Sequence, residues 1–152
     1  MNDVPEDEAR ALLASPLFCD DCGQWRPPKG SKNIHETSCG LLDENGINVR
    51  LIVQLIFKRS VKTGLVSFQF SVFRRNPSGL ERVYQLDVRG WPRGAPSNHH
   101  RPHEHFGDSR AIGNAAWEKW TYDEVMAYFC AATNIVFRPP VPHPEEFQLR
   151  RQ

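Results

Sequence analysis

The sequence predicts an α+β fold, with a four-stranded antiparallel meander sheet packed by a C-terminal helix and a short N-terminal helix. Two patterns carry this prediction. In the middle of the chain, apolar and polar residues alternate in runs separated by short turn sequences, which is typical of half-buried strands. Near the C-terminus, a helix-start signal precedes apolar residues at helical spacing. A length of 152 residues suits a single domain, which we assign to 1–152.

The N-terminal part predicts a helix followed by a loop. In residues 5–15, Ala9, Leu12 and Leu13 fall on one helical face, and acidic residues occupy the first turn. Residues 16–31 contain three prolines and two glycines, a composition that favours a loop.

Four strands follow, joined by short turns. The predicted strands cover residues 34–42, 49–57, 66–72 and 80–88. An Asn-Gly pair at 45–46 is a strong hairpin signal between the first two strands. In the last strand, the alternation places Leu80, Tyr84 and Leu86 on one face, so we expect them to be buried together. Consecutive strands joined by short turns make an antiparallel meander.

The C-terminal helix begins at a capping box. Thr121 and Glu124 occupy the N-cap and third helical positions, where each side chain can bond the other's backbone amide. Apolar residues then recur at helical spacing over the next two turns. Residues 134–137 predict one more short strand, and the proline-rich residues 139–152 predict a tail.

A histidine cluster gives the strongest indication of function, because four of the six histidines lie within residues 99–105. Histidine titrates near neutral pH, so a cluster supplies proton donors, proton acceptors or metal ligands. The cluster falls in the Pro- and Gly-rich stretch 89–116, which we predict to be a long functional loop. A solvated loop that happens to be rich in histidine is the alternative.

His103 and His105 lie two residues apart, so in an extended segment both imidazoles project to the same side. Two chemistries fit this spacing. With Asp108, the pair can hold a divalent metal that keeps an open position. Alternatively, one imidazole deprotonates a ribose 2′-hydroxyl while the other protonates the leaving oxygen. The arginine-rich surroundings favour the second, metal-independent chemistry. The candidate catalytic residues are His103, His105, Asp108 and His100.

The net charge of +1 conceals an uneven distribution. Residues 50–110 hold eleven basic and four acidic residues, a net +7, whereas the rest of the chain carries −6. A basic middle with more arginine than lysine suits RNA phosphates, although about half of these arginines are expected to be merely solvated. The predicted substrate-binding residues are Arg59, Arg101, Arg74 and Tyr84.

Four residues have the spacing of a small zinc finger, Cys19-x2-Cys22-x12-His35-x3-Cys39. The residues between them lack the hairpin of such a finger, and the last two ligands fall in a predicted strand instead of a helix. On a strand, positions 35 and 39 still share a face, so a zinc clip at the sheet edge is compatible with the spacing but is not required by it. Ordinary reduced thiols are the alternative.

The chain carries no sign of export or membrane insertion. Its N-terminus is acidic and lacks the basic-then-apolar order of a secretory signal, and no apolar run reaches the roughly 18 residues of a membrane span. Four cysteines are too few for a disulfide framework. We therefore expect a cytoplasmic protein with reduced thiols and no membrane partner.

Two stretches, 84–87 (Tyr-Gln-Leu-Asp) and 102–108 (Pro-His-Glu-His-Phe-Gly-Asp), together with the capped helix, resemble the TumE-like toxins of bacterial toxin–antitoxin modules. The resemblance covers roughly residues 48–137, and His103, His105 and Asp108 match the histidine-rich motif of that family. It implies a meander sheet, a growth-inhibiting activity that acts on RNA, and a cognate antitoxin protein as partner.

The chain departs from the family pattern in two places. In the family a His-His pair follows the strand closely, whereas here His99 and His100 come later, after a Gly-Trp-Pro sequence. The Cys-rich N-terminal segment also has no counterpart. The alternative function is a non-enzymatic phage or mobile-element protein that inhibits a host defence or nucleic-acid complex through a basic sheet face.

Overall fold

A mixed sheet of nine strands dominates the computed structural model, which describes residues 2–20, 22–27, 33–89 and 102–146. The strands are β1 (Asn2–Asp3), β2 (Leu17–Asp20), β3 (Ile34–Leu42), β4 (Asn48–Arg59), β5 (Val66–Asn76), β6 (Gly79–Arg89), β7 (His103–Phe106), β8 (Ser109–Ile112) and β9 (Ile135–Arg138). The helices are α1 (Glu6–Leu12) and α2 (Tyr122–Thr133), and a 3₁₀ helix covers Ala115–Lys119. None of these described helices is both long and apolar enough to cross a membrane.

The order of the strands places the two chain ends at different points of the sheet. The strand order is β8-β7-β6-β5-β4-β3-β2-β9, and β1 pairs with β6 beyond the end of β7. Strands β3 to β6 are antiparallel neighbours in sequence order. The pairs β2–β9 and β1–β6 are parallel, so the sheet is mixed.

The prediction of a four-stranded meander is therefore wrong: β3 to β6 lie where the alternation places them, but they form only the middle of the sheet. The additional strands are two to four residues long. Residues 16–31, predicted as a loop, begin with strand β2, and residues 103–112 of the predicted loop form the β7–β8 hairpin. Segments this short show little alternation, and their ladder partners are remote in sequence, so pattern alone does not reveal them.

The sheet has an apolar face and a polar face. Across β6, β5 and β4, one rung consists of Leu86, Phe70 and Leu55, which are all fully buried. Helix α2 packs on this face, where the Phe129 ring lies 5.5 Å from that of Phe70. The neighbouring rung, which faces the other way, is polar. It runs through His105, Gln85, Ser71, Gln54 and Ser38 on five successive strands.

Helix α2 begins at the predicted capping box, in which Thr121 and Glu124 each bond the other's backbone amide. The helix ends at Asn134, whose positive φ of 59° stops the helical ladder. The Asn134 side chain then donates to the Leu13 carbonyl at 2.5 Å, which ties the end of α2 to the end of α1.

A β-bulge in β6 determines which side chains reach the polar face. The register changes from Val72–Tyr84 to Phe73–Arg82, so Val83 is an extra residue. Arg82 and Gln85, three residues apart, consequently share the polar face and hydrogen-bond each other at 3.0 Å. The same shift corrects the expectation for Leu80, which is 41% exposed and does not share the buried face of Tyr84.

Residues 139–146 belong to the fold and are not a free tail. The Val141 side chain is buried, and its carbonyl accepts from the Tyr122 hydroxyl at 2.9 Å. The Trp25 indole donates to the Pro142 carbonyl at 2.8 Å. Residues 147–152 of the predicted tail lie outside the described residues.

Candidate functional site on the polar face of the sheet

Strand β7 positions the two histidines that the sequence singles out. Its turn to β8 passes through Gly107, whose φ is 54° and where a Cβ would lie 2.0 Å from the Val4 carbonyl oxygen. The β7–β8 turn packs so closely against the N-terminal segment that only glycine fits at this position. The predicted catalytic His100 and the predicted phosphate-binding Arg101 lie outside the described residues.

The two imidazoles lie side by side on the polar face. Their ring centroids are 5.1 Å apart with an edge-to-face angle of 85°. His103 is buried and His105 is partly exposed. The register sets His103 opposite Asp87 on β6, and it sets His105 between Gln85 on β6 and Arg110 on β8.

The surroundings of His105 keep its imidazole neutral. Its pKa is lowered to about 4, chiefly by burial and in addition by Coulombic interactions with Arg82, His103 and Arg110. Near neutral pH, this side chain therefore carries a free nitrogen lone pair and can accept a proton.

The carboxylate that lies opposite His103 is Asp87, and the predicted Asp108 has a different partner. The Asp108 carboxylate accepts the backbone N–H of Glu6 at 3.0 Å and so caps helix α1. Asp87 is 5% exposed, lies opposite His103 on the neighbouring strand, and receives two hydrogen bonds from Arg89 at 3.0 and 2.8 Å. Directly opposed side chains in a sheet lie roughly 5 Å apart at Cβ, so Asp87 is placed to orient this imidazole.

A hydrogen-bonded network continues the site across β6 and β5. Arg82 makes two hydrogen bonds to Asp3, at 2.9 and 3.1 Å, and one to Gln85. Gln85 in turn donates to Ser71 at 2.9 Å. The sequence analysis did not name Arg82, Gln85 or Asp87 as site residues, although Asp87 lies in the 84–87 stretch that carries the family resemblance. In the sequence of β6, Gln85 and Asp87 are polar residues that alternate with buried apolar ones, and this alternation could have identified them. The position of Arg82 depends on the β-bulge, which the sequence pattern does not show.

Several predicted substrate-binding residues have other partners. Arg59 pairs with Glu145 at 2.6 Å, and Arg74 pairs with Glu8 at 2.5 Å and with Glu81 at 3.1 Å. Acidic residues from both ends of the chain thus neutralise part of the basic middle. Tyr84 is fully buried and donates to Glu104 at 2.8 Å, so its hydroxyl is not available to a substrate.

Three cysteines form a cluster on the other side of the sheet that could hold a metal ion. The Sγ atoms of Cys19, Cys22 and Cys39 all lie within 4.8 Å of one another. Strand β2 supplies the first, the residues after it supply the second, and β3 supplies the third. A hydrogen bond from the Cys19 thiol lowers the pKa of Cys22, and the same bond raises the pKa of Cys19. The cluster therefore favours one thiolate before any ion binds.

His35, the predicted fourth ligand, does not belong to this cluster. Its ring packs 6.0 Å from that of Phe57, and neither ring nitrogen has a hydrogen-bond partner although both are buried. Positions 35 and 39 do share a face of β3, but four residues of extended chain separate them by about 13 Å. The shared face is therefore not enough to bring His35 to the ion.

No family model, curated protein or solved structure matches this chain. The resemblance to TumE-like toxins therefore stays a prediction from sequence pattern.

Proposed function

We propose that this chain is a toxin of a toxin–antitoxin module that cleaves RNA by general acid–base chemistry. The observation that carries the proposal is the adjacency of two imidazoles, 5.1 Å apart, on the polar face of the sheet. Two cations, Arg82 and Arg110, act on the same site from neighbouring strands. An acid–base pair beside fixed positive charge is what phosphodiester transfer needs.

In the proposed mechanism, neutral His105 accepts the proton of the ribose 2′-hydroxyl. The 2′-oxygen attacks the adjacent phosphorus, and the bond to the 5′-oxygen breaks as that oxygen takes a proton from the imidazolium form of His103. The products are a 2′,3′-cyclic phosphate and a 5′-hydroxyl. Arg110 stabilises the extra negative charge on the phosphoryl oxygens during transfer. Asp87 holds the His103 ring in place.

The decisive experiment is cleavage of total RNA by the purified chain and by the double variant His103→Gln/His105→Gln. We expect the wild type to leave 2′,3′-cyclic phosphate ends and the folded double variant to leave RNA intact. Circular dichroism and thermal melting verify that the variant is folded. Equal cleavage by both proteins would refute the assignment. Inert wild-type protein that captures a single host protein would favour the non-enzymatic mobile-element alternative.

The biological setting of the proposal comes from the resemblance to TumE-like toxins. It predicts that expression of the chain arrests growth in the cytoplasm and that a cognate antitoxin restores growth. The double histidine variant should permit growth without any antitoxin. Growth arrest by the double variant would separate the toxicity from RNA cleavage.

We also propose that the cysteine cluster binds a structural zinc ion. Three thiolates supply three of the four ligands that tetrahedral zinc takes, and an ion there would connect β2 to β3. Zinc would contribute folding energy at this edge and no step of the RNA chemistry, because the cysteines and the histidine pair lie on opposite faces of the sheet.

A further inference from the structure

A groove of about 710 Å³ opens at the far end of β3, β4 and β5. Two arginines, Arg50 and Arg75, line it together with Ser38, Gly40 and Asn48. Both arginines are exposed. Cys39 of the cysteine cluster also lines the groove. Neither the cysteine cluster nor the histidine site uses the two arginines, so their charge calls for a separate explanation.

The two arginines differ from their neighbours because they are not neutralised. Within the described part of the chain, Arg59, Arg74, Arg82 and Arg89 each form an ion pair with a carboxylate. Arg50 and Arg75 form none with any described residue. Two unpaired guanidinium groups on one groove attract an anion, and their planar donor geometry suits phosphate.

The backbone holds Arg50 in an unusual conformation. Its φ is 63°, and apart from it only Asn134, at the end of α2, has a positive φ among the described non-glycine residues. The Asn48 side chain fixes this conformation by accepting the Arg50 backbone N–H at 2.7 Å. Glycine or asparagine would adopt this φ more readily, so what the position gains from arginine is the charged side chain.

The groove is connected to the histidine pair along a single rung of the sheet. Ser38, which lines the groove, is joined by cross-strand register to His105 through three intervening polar residues. Four strand spacings of about 4.8 Å put roughly 19 Å between the two ends of this rung. A flexible polyanion bound at the histidines can therefore span the distance to the two arginines. Along the rung, Ser38 and Gln54 are accessible to it, whereas Ser71 and Gln85 are buried.

We infer that this groove binds the phosphate backbone of single-stranded RNA at a distance from the bond held by the histidines. The inference rests on the proposed function for the identity of the polyanion. Single strands fit better than duplexes because their base edges remain free to bond the accessible Ser38 and Gln54 side chains of the rung. In a duplex those edges are already paired.

Binding tests the inference without requiring cleavage. The probe is a fluorescent 2′-O-methyl RNA decanucleotide, which has no 2′-hydroxyl to react, and its affinity is measured at several salt concentrations. For Arg50→Gln/Arg75→Gln we expect roughly tenfold weaker binding and a salt slope reduced by about 0.7 for each lost phosphate contact. The control Lys62→Gln/Lys119→Gln removes the same charge at two exposed positions outside the groove and the histidine site, and it should bind the decanucleotide with the wild-type salt slope.

A second variant blocks the groove without changing charge. Gly40 has no positive φ, and a Cβ there would lie 3.7 Å from the Asn48 amide nitrogen, so Gly40→Val should fold and narrow the groove. We expect it to weaken decanucleotide binding as well. Wild-type affinity and slope in both groove variants would overturn the inference. Equal binding of a duplex RNA, with the same loss on substitution, would also overturn it.

Cleavage kinetics separate this inference from the proposed function. A dinucleotide substrate occupies only the histidine site, so Arg50→Gln/Arg75→Gln should cleave it with unchanged kcat/KM. On an unmodified RNA decanucleotide, which keeps its 2′-hydroxyls, the same variant should show a raised KM and an unchanged kcat. If the wild type cleaves neither substrate, the proposed function fails while the binding measurements still decide whether the groove holds RNA.

Discussion

His105 experiences burial and positive charge at the same imidazole, and together these lower its pKa to about 4. The spacing of the histidines in the sequence suggests an acid–base pair but says nothing of which imidazole is the base. In the proposed mechanism the base is His105, because its lowered pKa keeps it neutral over the pH range in which an ordinary histidine titrates.

The first residue-scale prediction concerns pH. The acidic limb of the cleavage rate should have its midpoint near pH 4 instead of the ordinary 6.5, because only neutral His105 accepts the proton. Arg110→Gln removes one positive neighbour and should move this midpoint upward. The measurement is kcat/KM of a dinucleotide from pH 3 to 8, a range that extends to both sides of the expected midpoint. A midpoint at 6.5 in the wild type would contradict the assignment.

The lowered pKa of His105 also makes the free energy of unfolding depend on pH. Between pH 6.5 and about 4 the unfolded chain protonates His105 while the folded chain does not. The unfolded state therefore binds more protons, and the free energy of unfolding falls as the pH is lowered through this window. In urea unfolding experiments, the free energy of unfolding of His105→Gln should fall less than that of the wild type as the pH is lowered through the same window.

The second residue-scale prediction distinguishes the two aspartates. Asp108→Ala removes the cap of α1 and should lower the free energy of unfolding by about 1 kcal/mol while the cleavage rate stays unchanged. Asp87→Asn should lower kcat with little change in KM, since it disturbs the ring that donates the proton. Loss of activity in Asp108→Ala, with Asp87→Asn fully active, would restore the role assigned from the sequence.

At the scale of elements, short strands bring distant cysteines together. Strand β2 is antiparallel to β3 and parallel to β9, so the first cysteines of the chain reach Cys39 only through sheet pairing. The spacing in the sequence suggests four metal ligands. Because β3 is extended, His35 lies too far from Cys39 to belong to the cysteine cluster.

The element-scale prediction concerns the metal. The purified chain should bind one zinc ion, and chelation should lower its melting temperature, because the ion stabilises the folded state. Cobalt substitution should give thiolate-to-metal absorption in the near ultraviolet. Cys39→Ser should lose the ion, whereas Cys130→Ser, which alters a cysteine outside the cluster, should retain it.

His35 supplies the sharpest test of the ligand set. His35→Leu should retain the zinc and should be as stable as the wild type or more so, because it removes two buried nitrogens that have no partner. Zinc loss in this variant would show that the four-residue spacing describes the site after all.

At the scale of the whole molecule, the two chain termini complete the structure around the central strands. The N-terminal strand β1 extends the edge of β6, and β9 extends the opposite end of the sheet. Residues following β9 then return to the apolar face, where Val141 and Pro142 accept hydrogen bonds from Tyr122 and Trp25. The same ends supply acids that neutralise Arg59, Arg74 and Arg82.

The prediction at this scale compares two valines near the C-terminus. Val141 is 7% exposed and Val136 is 44% exposed. Val141→Ala should lower the free energy of unfolding by about 2 kcal/mol, since it removes buried apolar surface and leaves a cavity. Val136→Ala should change it by less than about 0.5 kcal/mol. Equal effects in denaturant titrations would show that the segment after β9 does not pack as described.

The sequence by itself determined the features that depend on local periodicity. Alternation placed the central strands β3 to β6, and the capping box placed the start of α2. The period of two along an extended chain set His103 and His105 side by side. These features follow from backbone geometry within a few residues, which is why pattern alone is sufficient.

Only the tertiary structure decided the partners of these side chains. Asp87 faces His103 because β6 and β7 pair in one particular register, and Arg82 reaches the site because Val83 bulges. Arg59 and Arg74 form ion pairs with acids distant in sequence, whereas Arg50 and Arg75, which line the groove, form no ion pair with any described residue. Register, bulges and long-range ion pairs depend on contacts between residues far apart in sequence, and no local pattern encodes those contacts.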